Sequence, residues 1–236
     1  MAEDDLSARH SISVYFLLGW ITIVLLGCGS PSQVSRPSPQ APIQVIKEPV
    51  NFAMRTFDPA APPPEMPPLS EGEVAVCDSN FTSSAALSGQ NHRIDSTHAT
   101  LTITGAKVTL QVNITIWTPV GASEHVVEHE QGHRQISEYY YRTADKVAEQ
   151  IAETYIGRQV PVAGTDLNGE ANAALNELAK EFTDEYGKQL NPDPAQQLYD
   201  TITDHSRNQT TVSDAVANAI KDAEIAAPHP VADAVN

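Results

Sequence analysis

The sequence predicts an α+β fold in which a small antiparallel sheet packs against one long helix, with further helices towards the C terminus. Three observations predict it. Residues 97–104 and 107–117 have the composition of strands, and residues 123–156 repeat apolar side chains at helical spacing. Three more helical segments follow before residue 227. Strands that precede a run of helices are typical of the α+β class.

The two predicted strands form a hairpin, with Thr104, Gly105 and Ala106 as the connection. In the second strand, apolar and polar residues alternate, which is the period of a half-buried strand. Its apolar members are Val108, Leu110, Val112, Ile114 and Ile116.

The long helix is predicted to begin after Ser123, a plausible N-cap, and to stop at Gly157. Its apolar stripe has spacings of three or four residues and includes two histidines. The stripe consists of Val126, His129, His133, Ile136, Tyr140, Ala144, Val147, Ile151 and Tyr155. Two buried imidazoles need polar partners, and a shared metal ion supplies one for both.

The later helices are predicted at residues 169–190, from residue 195 onwards, and at residues 211–226. In the middle one, Ala195, Leu198, Ile202 and His205 are spaced by three, four and three residues. His205 therefore continues an apolar stripe and is expected to point towards the core.

The N terminus resembles a bacterial lipoprotein signal. Ser11 to Gly27 is uncharged and mostly apolar, and it ends in Leu-Leu-Gly before Cys28. The resemblance makes residues 1–27 a signal peptide and Cys28 the lipidated first residue of the mature chain. The alternative is an uncleaved single-span anchor, for which 17 residues are near the short limit. Both place the remaining chain outside the cytoplasm, on the bacterial cell envelope.

Composition divides the rest of the chain. Eleven of the 17 prolines fall between Pro31 and Pro68, so residues 28–70 are expected to be a disordered, proline-rich linker. Residues 71–227 have a globular composition and form the predicted domain, and residues 228–236 form a flexible tail.

The formal net charge of −16 argues against nucleic acid as a partner and favours cations or basic peptides. Once Cys28 is lipidated, Cys77 is the one cysteine left, so no intramolecular disulfide can form.

The most informative motif is His-Glu-Gln-Gly-His at residues 129–133, an HExxH sequence. On a helix, His129 and His133 lie on one face, where both rings can hold a single Zn²⁺ ion. Glu130 beside them is the expected general base. These residue types at this spacing are typical of a zinc hydrolase.

A catalytic zinc site uses three protein ligands and leaves a position for water. His205 is the predicted third ligand, because Asp200 and Asp204 point off its stripe and Glu138 faces away from His129. The alternative for His205 is a buried histidine bonded to the backbone.

An overlapping pattern, residues 125–129, is an inverted HxxEH motif with Glu128 as the base. It ranks second because His125 lies in the first turn, at the edge of the stripe. His125 is otherwise a rim residue that holds water or substrate. Tyr199 is a candidate oxyanion partner and Asp200 a candidate residue behind the ligands. The metzincin pattern is excluded because position 139, where its third histidine would fall, is Tyr139.

Residues 129–142 and 199–209 together resemble an uncharacterised family of bacterial secreted zinc-dependent proteases, which belongs with the thermolysin-like zincins. The first motif is the HEQGH sequence followed by Ile136, Glu138, Tyr140 and Arg142, and the second is Tyr199-Asp200-x-x-Thr203-Asp204-His205-x-x-x-Gln209. Ser206 stands where the family usually has glycine.

This resemblance covers roughly residues 95–215 and implies a zincin-like architecture. It implies zinc on His129, His133 and His205, with Glu130 as the base. It also makes residues 107–117 a wall of the cleft, against which an extended peptide substrate could pair.

The sequence thus predicts a membrane-tethered extracytoplasmic zinc metallopeptidase. Two alternatives stay open. One is a non-catalytic zinc-binding lipoprotein whose site is closed by a fourth ligand, and the other is a structural envelope protein whose histidines bind nothing.

Overall fold

A long central strand organises the fold in a computed structural model, which describes residues 42–70, 72–208 and 210–226. The architecture is mixed α/β, with an open five-stranded sheet. The strands are β1 (Ile43–Lys47), β2 (Asn51–Phe57), β3 (Val76–Arg93), β4 (His98–Pro119) and β5 (Gln159–Ala163). The helices are α1 (Glu124–Arg142), α2 (Ala144–Tyr155), α3 (Leu167–Gln189), α4 (Asp193–Thr203) and α5 (Val212–Ala226).

Strand β4 has neighbours along both edges. Antiparallel β3 pairs with it along one edge. On the other edge, β5, β1 and β2 follow one another, with β5 antiparallel and the other two parallel to β4. The predicted combination of a sheet with helices is confirmed, but the predicted antiparallel sheet is wrong, because β1 and β2 add parallel pairs.

The predicted hairpin at Gly105 is wrong, because β4 runs through this position without a turn. Ser88 pairs with Gly105 and Gly89 with Ile103, so Thr104 is one extra residue in β4, a β-bulge. Leu101 and Ile103 before the bulge and Ala106 and Val108 after it are all buried. Because of the bulge, the buried side chains of β4 on both sides of it face the same core along the 18-residue pairing with β3.

The core lies between this face of the sheet and the helices. Val108, Leu110 and Val112 of β4 are fully buried, together with Ile136 of α1 and Phe182 of α3. Between them the strand carries polar residues with exposed or half-buried side chains, such as Gln111 and Asn113. One sheet face is therefore packed and the other is polar, as the alternation predicts.

The predicted long helix begins as expected but is interrupted. Ser123 caps α1, accepting a hydrogen bond from the Val126 N–H at 3.4 Å. The helix ends at Arg142, and α2 begins after Thr143. Lys47 of β1 donates to the Arg142 carbonyl oxygen at 2.8 Å and pairs with Asp145 at 2.6 Å. A cation at this junction satisfies the last carbonyl groups of α1 and the acidic first turn of α2.

The predicted domain boundary at residue 70 is also wrong. Strands β1 and β2, at Ile43–Lys47 and Asn51–Phe57, lie inside the supposed linker. Prolines flank these two strands. The high proline count over residues 28–70 therefore predicted a linker, although two short stretches within it have strand composition. The predicted signal peptide, the lipidation site Cys28 and the tail after residue 227 lie outside the described residues.

Among the described residues, none of the helices is long and apolar enough to cross a bilayer.

The bulge provides a test of the fold. A Cβ atom at Gly89 would lie 2.6 Å from Leu101 Cδ1 and 2.8 Å from the Thr102 carbonyl oxygen. We expect Gly89→Ala to destabilise the protein by about 1 to 3 kcal/mol, because backbone must shift. Gly187→Ala is the control, since nothing lies within 4 Å of its Cβ position in α3, and we expect it to stabilise by about 0.5 to 1 kcal/mol. Urea unfolding of both variants measures the difference, and equal effects would contradict the assigned bulge.

Candidate metal centre

Helix α1 presents the two histidines of the HExxH motif side by side. The Nε2 atoms of His129 and His133 are 3.2 Å apart, because residues four apart lie one above the other on a helix. His129 is 6% exposed, and the His133 side chain is 13% exposed. The prediction that both rings lie on the core-facing stripe is confirmed.

The third group at this point is Asp200 of α4. Its Oδ1 atom lies 3.3 Å from His129 Nε2 and 2.9 Å from His133 Nε2. In a tetrahedral zinc site with ligand distances of about 2.0 to 2.1 Å, neighbouring ligand atoms are about 3.3 Å apart. The three atoms form a triangle of that size, so His129, His133 and Asp200 lie close enough to hold a metal ion.

The hydrogen bonding of these atoms also fits a cation. Asp200 Oδ1 is buried and has no partner with hydrogen-bond geometry among the described residues, although two ring nitrogens are near it. A buried carboxylate oxygen of this kind is an atom that a metal ion would complete.

Gln196, one turn before Asp200, fixes the ring of His133. Its Oε1 atom is 2.6 Å from His133 Nδ1, while its Nε2 donates to the His133 carbonyl oxygen and to Ser137 Oγ. Since the amide nitrogen is committed to these oxygens, Oε1 accepts from Nδ1–H. The Nε2 lone pair of His133 is then free for a metal. Sequence analysis missed Gln196, although it is spaced four residues from Asp200 on one helix.

Tyr199 joins α4 to α1. Its hydroxyl group donates to the His129 carbonyl oxygen at 3.1 Å, and its ring stacks on the His129 ring with centroids 5.0 Å apart. A Cβ atom at Gly132 would collide with the Tyr199 hydroxyl group, so the glycine of the HEQGH motif allows this close approach. Tyr199 is fully buried, and the prediction that it faces substrate as an oxyanion partner is therefore wrong.

Glu130 lies on α1 next to His129 and is 4% exposed. Burial raises the pKa of its carboxyl group to about 7 in the metal-free protein, although the backbone N–H of Cys77 donates a hydrogen bond to it. Burial alone would also raise the pKa of Asp200. The adjacent imidazoles of His129 and His133 outweigh that effect and hold it well below its usual range.

A cleft of about 260 Å³ opens onto these groups. Glu130, His133 and Asp200 line its base, and its walls come from α4 and from the chain that leads into β3, including Pro68, Glu73 and residues 75–77. A small molecule or a peptide segment can therefore reach the metal position and Glu130 together.

His205, the predicted third ligand, does not lie on a helix. Helix α4 ends at Thr203, and Asp204, His205 and Ser206 all have left-handed backbone, with φ between 49° and 65°. Ala195, Leu198 and Ile202 of the predicted stripe do pack on the core, but the stripe does not extend to His205 because the helix ends first.

The ring of His205 nevertheless adjoins the site. Its Nδ1 atom lies 3.8 Å from Asp200 Oδ1, is buried and has no hydrogen-bond partner within the part of the chain that the structure describes. It belongs to a second group of close ligand atoms, with Glu73 and Asp200. His205 as a metal ligand stays a prediction.

The overlapping HxxEH motif does not form a site. His125 and Glu128 are both exposed on α1 and line a surface groove with residues 206–208. The rim position expected for His125 stays a prediction, since His125 is not among the residues that line the metal cleft, and the exposed Glu128 cannot act as a buried base on His129. Helical phase explains the difference, since the buried side of α1 passes through His129, Glu130 and Ile136.

Comparisons with protein-family models, with curated proteins and with solved structures found no match to this chain. The candidate site therefore depends on its own geometry and on the sequence motifs.

The role of Gln196 is testable by metal affinity. We expect Gln196→Leu to weaken metal binding about 10- to 100-fold, because His133 loses the acceptor that orients its ring. Gln197→Leu makes the same change at the adjacent exposed position and should leave affinity unchanged. Competition titration with a chromophoric zinc chelator measures both, and equal affinities would show that Gln196 does not orient a ligand.

The third ligand is tested by comparing three substitutions. We expect Asp200→Ala to reduce zinc affinity at least ~100-fold, because one of three ligands is lost. Asp204→Ala is the matched control, since Asp204 is exposed and pairs with Arg207. His205→Ala reports whether His205 also binds the ion. Wild-type affinity in Asp200→Ala, measured by the same titration, would remove Asp200 from the metal centre.

Proposed function

We propose that this protein is a zinc-dependent peptidase of the bacterial cell envelope that hydrolyses peptide bonds. The observation that carries the proposal is the convergence of His129, His133 and Asp200 beside a buried glutamate, at the base of an open cleft. Two imidazoles and one carboxylate are a ligand set of catalytic zinc sites, and the HExxH motif supplies the base.

His129, His133 and Asp200 would hold the zinc ion, which as a Lewis acid would lower the pKa of water towards about 7 and polarise a carbonyl oxygen. Glu130 accepts the proton of the attacking water and then returns it to the leaving amine. Its position next to His129 keeps it within reach of the metal position, and burial keeps competing solvent away. Gln196 and Tyr199 would hold the two histidines in place.

The strand that borders the cleft favours a peptide as the substrate. The wall expected from residues 107–117 cannot pair with a peptide, because β4 is bonded along both edges. We assign the role of this wall to strand β3 instead. Among the described strands it pairs with β4 alone, and Val76, Cys77 and Ser79 line the cleft. An extended peptide beside them could bond to backbone groups of this strand edge other than the Cys77 N–H, which already donates to Glu130.

The proposed location depends on the N terminus. Residues 1–27 as a signal peptide and an acylated Cys28 would tether the domain to a membrane, facing the periplasm or the exterior. Between Cys28 and strand β1, a short stretch of proline-rich chain would serve as the tether.

A second candidate function is a non-catalytic zinc-binding envelope lipoprotein. One observation favours it, namely the buried, unpartnered Nδ1 of His205 at 3.8 Å from Asp200 Oδ1. If His205 bound the ion together with the other three groups, the site would have four protein ligands and no position for water. Zinc would then stabilise a partner-binding surface.

The two functions are separated by Glu130→Gln. We expect this variant to keep zinc and lose at least ~100-fold in peptide hydrolysis, because the amide cannot accept the proton of water. Glu128→Gln is the control on the exposed side of the same helix, and we expect it to keep full activity. Zinc content by mass spectrometry and turnover of a peptide library are measured together. A wild-type protein that holds zinc and cleaves nothing would favour the non-catalytic function.

A further inference from the structure

The chain between β2 and β3 forms an apolar groove of about 690 Å³. Seven prolines line it, together with Phe57, Met66, Leu69 and Val74. Among the described lining residues only Glu73 is charged. This is the stretch that composition alone assigned to a disordered linker.

The groove is held open by local bonds. An isolated β-bridge joins Asp58 to Ala61, and the Met66 N–H donates to the Pro63 carbonyl oxygen at 3.1 Å. At the far end, the Ser70 N–H donates to Glu73 Oε2 at 3.0 Å. Proline fixes φ, so walls built from prolines lose little conformational entropy when a ligand binds.

The groove and the metal cleft are adjacent and share two lining residues. Pro68 and Glu73 line both, and the chain then continues through Ala75 and Val76 along the cleft. Val74, between these two stretches, is 54% exposed, although it is a large apolar residue. A ligand that lies in the cleft therefore meets an apolar surface as soon as it extends past Glu73.

We infer that the groove is a specificity pocket for one large apolar side chain, such as Phe or Leu, of a peptide whose backbone lies in the metal cleft. The inference rests on the proposed peptidase function and names its substrate class. A polar or charged side chain would be desolvated there without a partner, since the lining offers almost no hydrogen-bonding side chains. An apolar side chain gains from burial against the prolines.

The test compares peptides that differ at one position, Phe or Leu against Ser, on the full-length zinc-loaded protein. We expect cleavage sites to have a large apolar residue at one fixed position from the cleaved bond. The preference in kcat/KM should be about 10- to 100-fold, the range of a hydrophobic pocket. Val74→Asp should reduce this preference at least fivefold while zinc content stays the same. Ile94→Asp is the matched control, because Ile94 is also exposed and lies in the turn between β3 and β4.

Binding of the same peptides to zinc-loaded Glu130→Gln, measured by fluorescence anisotropy, is independent of turnover. Cleavage without an apolar preference, or a preference unchanged in Val74→Asp, would overturn the pocket and leave the peptidase intact. Apolar-selective binding without wild-type cleavage would support the pocket and overturn the peptidase. If neither cleavage nor selective binding is observed, both the pocket and the peptidase function are overturned.

Discussion

The candidate site depends on the contact between α4 and α1, and above all on the hydrogen bond from the Tyr199 hydroxyl group to the His129 carbonyl oxygen. This bond requires a glycine at position 132, because any side chain there would occupy the space of the tyrosine ring. When the Tyr199 ring is packed there, Gln196 lies beside His133, and Asp200 lies between the two imidazoles. One buried contact thus fixes the distance between two helices and, through it, the distances among three ligand atoms.

The sheet supports that contact from the other side. Ser137 of α1 donates to Ser79 of β3 at 2.8 Å, which holds the helix against the strand that lines the cleft. Strand β3 stays in register with β4 because a single bulge absorbs the change of phase at Thr104. The position of the cleft wall relative to Glu130 is therefore set by the long β3–β4 pair.

The candidate site concentrates ionisable groups in a buried space, within a chain whose formal net charge is −16. Two imidazoles, one carboxylate with a lowered pKa and Glu130 share a space with little solvent. Among the described residues, the buried Asp200 Oδ1 atom lacks a hydrogen-bond partner. Since buried polar groups without partners are costly, a bound metal would stabilise the fold as well as supply chemistry.

The sequence by itself determined what depends on neighbours along the chain: the cap at Ser123, the common face of His129 and His133, and the place of Glu130 beside them. These follow from the geometry of one helix. Only the tertiary structure decided that Asp200 is the third group beside His129 and His133 and that Tyr199 is buried. The sequence of α4 does not show which side of this helix packs on α1. The tertiary structure also decided that residues 43–47 and 51–57 are strands, since their hydrogen-bond partners lie in β4, some sixty residues away. The physical reason is that short elements are stabilised by packing and pairing with distant segments, which local spacing does not contain.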